Sequence, residues 1–125
     1  MNLGYFSHIP LPAAAITVTT GPVLELGAGL GSTPLLHGLC GGQGRKLVTL
    51  ESDKDWLNQF VKYGRPWHSF RFVNDFKDLP EYKENWGLAF VDHGIAEQRC
   101  ISVEALAHIP ILVVHDTCHA NLYGY

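Results

Sequence analysis

Val23-Leu24-Glu25-Leu26-Gly27-Ala28-Gly29-Leu30-Gly31-Ser32-Thr33-Pro34 is the stretch whose reading decides the fold. Val23 to Leu26 is a short, mostly apolar run of the kind that makes a buried strand. Gly27, Gly29 and Gly31 follow at alternate positions. Three glycines so placed let a turn adopt angles closed to other residues and let a ligand lie directly on the main chain. Thr33 suits a helix cap, and Pro34 suits a first helical turn, where no N–H is needed. Strand, glycine turn and helix start together describe the ligand-binding corner of an open α/β sheet. The plainer alternative is a tight strand–helix turn that binds nothing.

Outward from this corner, apolar runs alternate with helical segments. Leu11 to Thr20 reads as a helix or irregular lead-in, and Gly21-Pro22 as a turn. Pro34 to Leu39 predicts a short helix, ended by Gly41-Gly42-Gln43-Gly44. Lys46 to Leu50 predicts a second strand, closed by Glu51. Ser52 or Asp53 then caps a helix carrying Trp56, Leu57, Phe60 and Val61 on one face. Phe70 to Val73, Leu88 to Val91 and Ile111 to Val114 read as three further strands. A polar, partly helical stretch (Lys77 to Asn85) and a helix (Ile95 to Ala107) separate them. This alternation predicts one α/β domain over residues 1–125, with a parallel sheet covered by helices on both faces.

Composition narrows the function classes. The 125-residue chain has a net charge of −3 and no run of like charge. Nothing points to a basic face for nucleic acid. The apolar N-terminal stretch lacks a basic leader and is interrupted by Pro10 and Pro12, so neither a signal peptide nor a membrane span is expected. Cys40, Cys100 and Cys118 are odd in number and far apart, which suits a reducing, cytoplasmic compartment. The chemistry-bearing residues fall at the strand ends. Glu25, Glu51, Asp75, Asp92 and Asp116 bring a carboxylate to each of five strand ends, where such sheets gather their ligands. His93 and His115 stand beside two of them. His115, Cys118 and His119 raise zinc, but no second ligand pair at matching spacing supports it. His8, His37, His68 and His108 read as surface or packing residues, and the three tryptophans as core or pocket walls.

Two ligand classes compete for the glycine corner. A dinucleotide fingerprint places its third glycine at the sixth position, which here is Ser32. The additional glycine is instead Gly31, and Glu25 precedes Gly27 by two. This Glu-x-Gly-x-Gly-x-Gly spacing resembles motif I of class I S-adenosylmethionine (SAM) methyltransferases. The resemblance spans roughly Pro22 to Thr117 and implies a Rossmann-like sheet in the order 3-2-1-4-5. It implies that Glu25, Gly27, Ala28, Gly29 and Gly31 form the SAM corner. Glu51, with Ser52 beside it, takes the place of the acid that holds the ribose hydroxyls, and Asp75 that of the acid near the adenine. The segment Leu88 to His93 is similar to the Asp-His segment of catechol-type O-methyltransferases. Those enzymes bind a magnesium ion that holds substrate oxygens, which points to Asp92 and Asp116 as metal ligands. Thr117 stands where their asparagine would be, and Ile95 where their lysine base would be, so that mechanism does not carry over whole.

The expectation is a SAM-dependent methyltransferase acting on a small-molecule oxygen or nitrogen acceptor. Asp92, His93 and His115 are its candidate catalytic residues. The alternatives are a SAM-binding module without catalysis and a small NAD-dependent oxidoreductase. Such methyltransferases usually continue past the fifth strand with a helix and an antiparallel hairpin. Tyr125 comes too soon for both, so the apolar fifth strand is expected to need a cover, with a homodimer as the favoured one.

Overall fold

A computed structural model describes residues 10–115. Its strands are β1 (Val23–Leu26), β2 (Leu47–Glu51), β3 (His68–Phe72), β4 (Leu88–Val91) and β5 (Ile111–Val114). Its α-helices are α1 (Pro10–Thr17), α2 (Ser32–Gln43), α3 (Lys54–Asn58) and α4 (Arg99–Ala105). The strands form one sheet in the order β3-β2-β1-β4-β5, and every neighbouring pair is parallel. This is a Rossmann-like α/β arrangement: the parallel sheet was expected from the alternation of apolar runs and helical segments, and its strand order from the resemblance.

Every residue of β1, β2 and β4 is buried. Strands covered on both faces are apolar along their whole length rather than alternating, which is why these runs were legible. On one face Leu24, Leu26, Val48, Leu50, Ala89 and Val91 pack against Phe76, Tyr82, Trp86 and Leu106. On the other, Val23, Leu47, Leu88, Phe90 and Val113 pack against Ile16 of α1 and Leu36 and Cys40 of α2. The register aligns the strand ends. Leu26 lies opposite Leu50 and Val91, and beyond it Gly27 N–H donates to Leu50 O while Asp92 N–H donates to Leu26 O, both at 2.8 Å.

Element boundaries differ from expectation where tertiary contacts override local signals. Helix α2 starts two residues before Pro34 and runs through Gly38, Gly41 and Gly42 to a left-handed Gly44 at φ 66°. Gly31 is its N-cap, and Thr33, expected to cap, uses its hydroxyl elsewhere. After Asp53 the expected helix breaks into α3 and a 3₁₀ turn at Val61–Tyr63, leaving Val61 50% exposed while Leu57 and Phe60 are buried. The Ile95 to Ala107 segment divides into a 3₁₀ turn at Ala96–Gln98 and α4, and the Lys77 to Asn85 stretch holds a 3₁₀ turn at Pro80–Lys83. Strand β3 begins at His68, two residues early, because the His68 side chain is held in the core.

Among the described residues no helix is long and apolar enough to cross a membrane. Cys40 and Cys100 are free thiols. His8, Asp116, Thr117, Cys118 and His119, together with the other residues before Pro10 and after His115, lie outside the described residues.

Candidate functional site

The sheet changes direction at β1, which is flanked by β2 and β4. Ligands in open α/β sheets bind at such a switch point, beyond the carboxyl ends of the strands. The glycine turn occupies this place. Gly27 has φ 96°, and a Cβ there would lie 2.6 Å from the carbonyl oxygen of Asp92. Only glycine allows the ends of β1 and β4 to approach this closely. A Cβ on Gly29 would lie 2.8 Å from Ser32 Oγ. Beyond Gly27 the turn rises to the surface, with Gly29 half-buried and Leu30 exposed.

Glu51 closes β2 beside this turn and is 5% exposed. Its Oε1 accepts the Ala28 N–H at 2.9 Å, and its Oε2 accepts the Ser52 and Asp53 N–H groups at 2.8 Å each. Through these three accepted N–H groups Glu51 ties β2 to the glycine turn. Trp56 completes the junction by donating Nε1–H to Ala28 O at 2.7 Å. Asp53 holds Trp56 in place by capping α3, its carboxylate accepting the Trp56 N–H. Ala28, Glu51 and Ser52 are thus brought together. Asp75 lies farther along the rim, past β3, where its Oδ1 accepts the Lys77 N–H at 2.9 Å. It borders an open cleft of about 390 Å³ lined also by Phe72, Asn74 and Lys77.

On the β4 side, Asp92 is half-buried and paired. Its Oδ1 accepts from His115 Nδ1 at 2.8 Å and from Arg99 Nη2 at 3.3 Å. Arg99 also donates to the carbonyl oxygens of His93 and His115 at 2.8 and 2.9 Å, locking the ends of β4 and β5 together. In the His115 ring Nδ1 donates to the carboxylate, which makes Nε2 the basic nitrogen of the neutral imidazole. Asp92 and His115 are therefore an acid-oriented imidazole pair at the rim.

His93, the third candidate, is placed differently. It is fully buried and stacks on Phe76 at 3.9 Å with a 7° interplanar angle. Tyr82 donates its hydroxyl to Phe76 O, so Ser102 Oγ donates to Tyr82, and His93 Nε2 must donate to Ser102. That fixes the Nε2–H tautomer and leaves Nδ1, which has no hydrogen-bond partner among the described residues. Burial and the nearby Arg99 guanidinium push its pKa down to about 3. His93 is a neutral core imidazole behind the rim, which corrects its reading as a catalytic group at the pocket face.

Glu25 is also corrected. It lies within β1 rather than at its end and is fully buried. Its carboxylate accepts hydroxyls from Ser32 at 2.8 Å, Thr33 at 2.9 Å and Thr49 at 2.9 Å. Burial raises its pKa to about 7, against the lowering effect of these three donors. Glu25 acts on the glycine turn from below, through Ser32 and Thr33, and does not present an oxygen to a ligand. Thr49 continues the contact to His68 Nε2, and His68 Nδ1 meets His37 Nδ1, each at 2.9 Å. Reading the sequence missed this row. Its one signal is Thr49, a hydroxyl inside the apolar run Leu47 to Leu50.

Of the two expected magnesium ligands, Asp92 is among the described residues and Asp116 is not. Asp92 is already held by a guanidinium and an imidazole, and no group of three metal-ligating side chains occurs among the described residues. Compared with known protein families, curated proteins and solved structures, the chain gives no match.

Proposed function

We propose that the chain binds SAM at the glycine corner and is a methyltransferase for a small-molecule oxygen or nitrogen acceptor. The observation that carries the reading is the junction of the glycine turn with Glu51 at the switch point of the sheet. The Gly27 to Gly31 main chain would hold the amino-acid end of the cofactor, Glu51 and Ser52 its ribose, and Asp75 its base. SAM supplies an electrophilic methyl group, so the protein's tasks are to align the acceptor and to take its proton. His115 Nε2 is the base for that proton, and Asp92 holds the ring and stabilises the imidazolium that forms. No step requires a metal. His93 and Ile95 provide no second base, and a wild-type chain that binds SAM without turnover would favour the noncatalytic SAM-binding alternative.

Calorimetry with SAM, S-adenosylhomocysteine and NAD tests the binding half of the proposal. SAM and S-adenosylhomocysteine should both bind and NAD should not. Glu51→Ala should weaken binding by about 1–3 kcal/mol, as for the loss of a charged hydrogen-bond acceptor. Binding of NAD alone, or equal SAM affinity in wild type and Glu51→Ala, overturns it. In a methylation assay His115→Gln should abolish turnover while retaining SAM affinity. Unaltered turnover would assign the proton to another base. The reading includes a second copy of the chain against β5, whose Ile111, Leu112 and Val114 are only partly covered by the described residues. Light scattering of wild type and Ile111→Lys should then show a dimer and a monomer.

A further inference from the structure

The row of side chains beneath the glycine turn has a property that no packing role requires. Glu25 Oε1, Thr49 Oγ1, His68 Nε2, His68 Nδ1 and His37 Nδ1 follow one another through three contacts of 2.9 Å. The inner end is fully buried and the outer end, His37, is half-buried at the surface of α2. Every member both donates and accepts: a carboxyl, a hydroxyl and two imidazoles. A lysine or an arginine at any place would fix the row in one direction.

We propose that His37, His68 and Thr49 form a proton path between solvent and Glu25, and that the two protonation states of Glu25 set how tightly Ser32 and Thr33 hold the glycine turn. With Glu25 ionised, Thr49 donates to Oε1, His68 Nε2–H donates to Thr49, and His37 Nδ1–H donates to His68 Nδ1. A proton arriving at His37 Nε2 displaces each of these by one place. His37 Nδ1–H passes to His68 Nδ1, His68 Nε2–H passes to Thr49 Oγ1, and the Thr49 proton passes to Glu25. One proton enters, one is delivered, and both imidazoles end neutral. All three contacts survive in reverse, now running from Glu25 outward. The row therefore has two complete hydrogen-bonded arrangements of equal connectivity.

The consequence reaches the ligand corner by a short route. Ionised Glu25 receives three charge-assisted hydrogen bonds, which are about twice as strong as neutral ones. Two come from Ser32 and Thr33, and Thr33 Oγ1 in turn accepts the Gly29 N–H at 2.9 Å. Protonation weakens this grip and loosens the turn at Gly29. Burial places the Glu25 pKa near neutrality, at about 7. The other groups facing the row are Asp92 at the end of β4 and Cys40 of α2, both toward Glu25, and Arg65 toward His37. Asp92 favours the neutral carboxyl. Burial and then Arg65 disfavour a charged His37, and burial together with His37 disfavours a charged His68. The histidines therefore relay protons without storing them.

Side-chain imidazole nitrogen NMR on the full chain tests this without any ligand. Between about pH 5.5 and 8.5, the range in which such groups titrate, His68 should change from the Nδ1–H to the Nε2–H tautomer. The Glu25 carboxyl carbon and the Gly29 amide should move with the same midpoint. In Glu25→Gln and in Thr49→Val the His68 tautomer should no longer respond to pH, whereas Thr49→Ser should restore the response. A single His68 tautomer throughout in wild type, or a Gly29 amide indifferent to the Glu25 titration, overturns the proposal. The wild-type spectra alone decide it should Glu25→Gln fail to fold.

Discussion

Gly27 shows how one residue fixes the site. Its φ of 96° and the 2.6 Å approach of any Cβ to Asp92 O are independent reasons for glycine. The first is a strain of about 1–2 kcal/mol for an L-residue; the second is a backbone overlap that can be relieved only by parting β1 from β4. Gly27→Ala should therefore lower stability by at least about 2 kcal/mol, read as a shift in urea midpoint. An unchanged midpoint would show that the strand ends yield more easily than their packing implies. His93 gives the opposite lesson. Its position after β4 suggested chemistry, yet the Phe76 stack and the Ser102–Tyr82 chain make it part of the core.

At the scale of elements, α2 is the most informative. A helix with glycine at 38, 41 and 42 is poor by intrinsic propensity, since each costs about 1 kcal/mol relative to alanine. Its burial of Leu36 and Cys40 against the sheet holds it together. The glycines are not equivalent. A Cβ at Gly38 meets nothing within 4 Å, whereas one at Gly41 would lie 2.7 Å from the Trp67 ring. Gly38→Ala should raise stability by about 0.5–1 kcal/mol, and Gly41→Ala should lower it by displacing Trp67. Thermal unfolding of the two variants checks this, and equal shifts of the same sign would contradict it. Helix α3 depends on a cap: Asp53→Ala should cost about 1 kcal/mol and free the Trp56 ring that braces Ala28, visible as a change in tryptophan fluorescence.

For the whole molecule, three buried titratable groups pull stability in opposite directions with pH. His68 and His93 have pKa values of about 4 and about 3, each below the ordinary 6.5, chiefly because burial disfavours their charged forms. Their contribution is full above pH 6.5 and is lost as pH falls, because the unfolded chain binds protons that the folded chain refuses. Glu25 is raised from 4.5 to about 7. Its contribution is full below pH 4.5 and is lost as pH rises through 7. Between pH 4.5 and 6.5 the unfolded state gains two protons at the histidines, and the folded state one at Glu25. Stability should climb by on the order of 1 kcal/mol per pH unit over that window, then decline slightly to about pH 7. Urea midpoints measured across the range check the sign; a midpoint that fell from pH 4.5 to 6.5 would refute the assignment of these groups.

The sequence by itself determined the alternation of strands and helices. It also located β1, β4 and β5 and the glycine turn at the end of β1, because each of these strands is a short, mostly apolar run. The strand order that the resemblance implies placed Glu51 beside the turn, since β2 neighbours β1 in such a sheet. Only the tertiary structure decided what each polar side chain faces. Glu25 and Glu51 are both acids near strand ends, yet one points into the layer under α2 and the other clasps three N–H groups at the rim. Asp92 meets a guanidinium 7 residues away and an imidazole 23 residues away, and the His68 ring reaches Thr49 across 19. Periodicity and spacing report on neighbours along one element, and these partners come from elements that meet only when the sheet closes. Hydrogen bonding of buried groups is satisfied in three dimensions, and so the chemistry of this site resided in the packing.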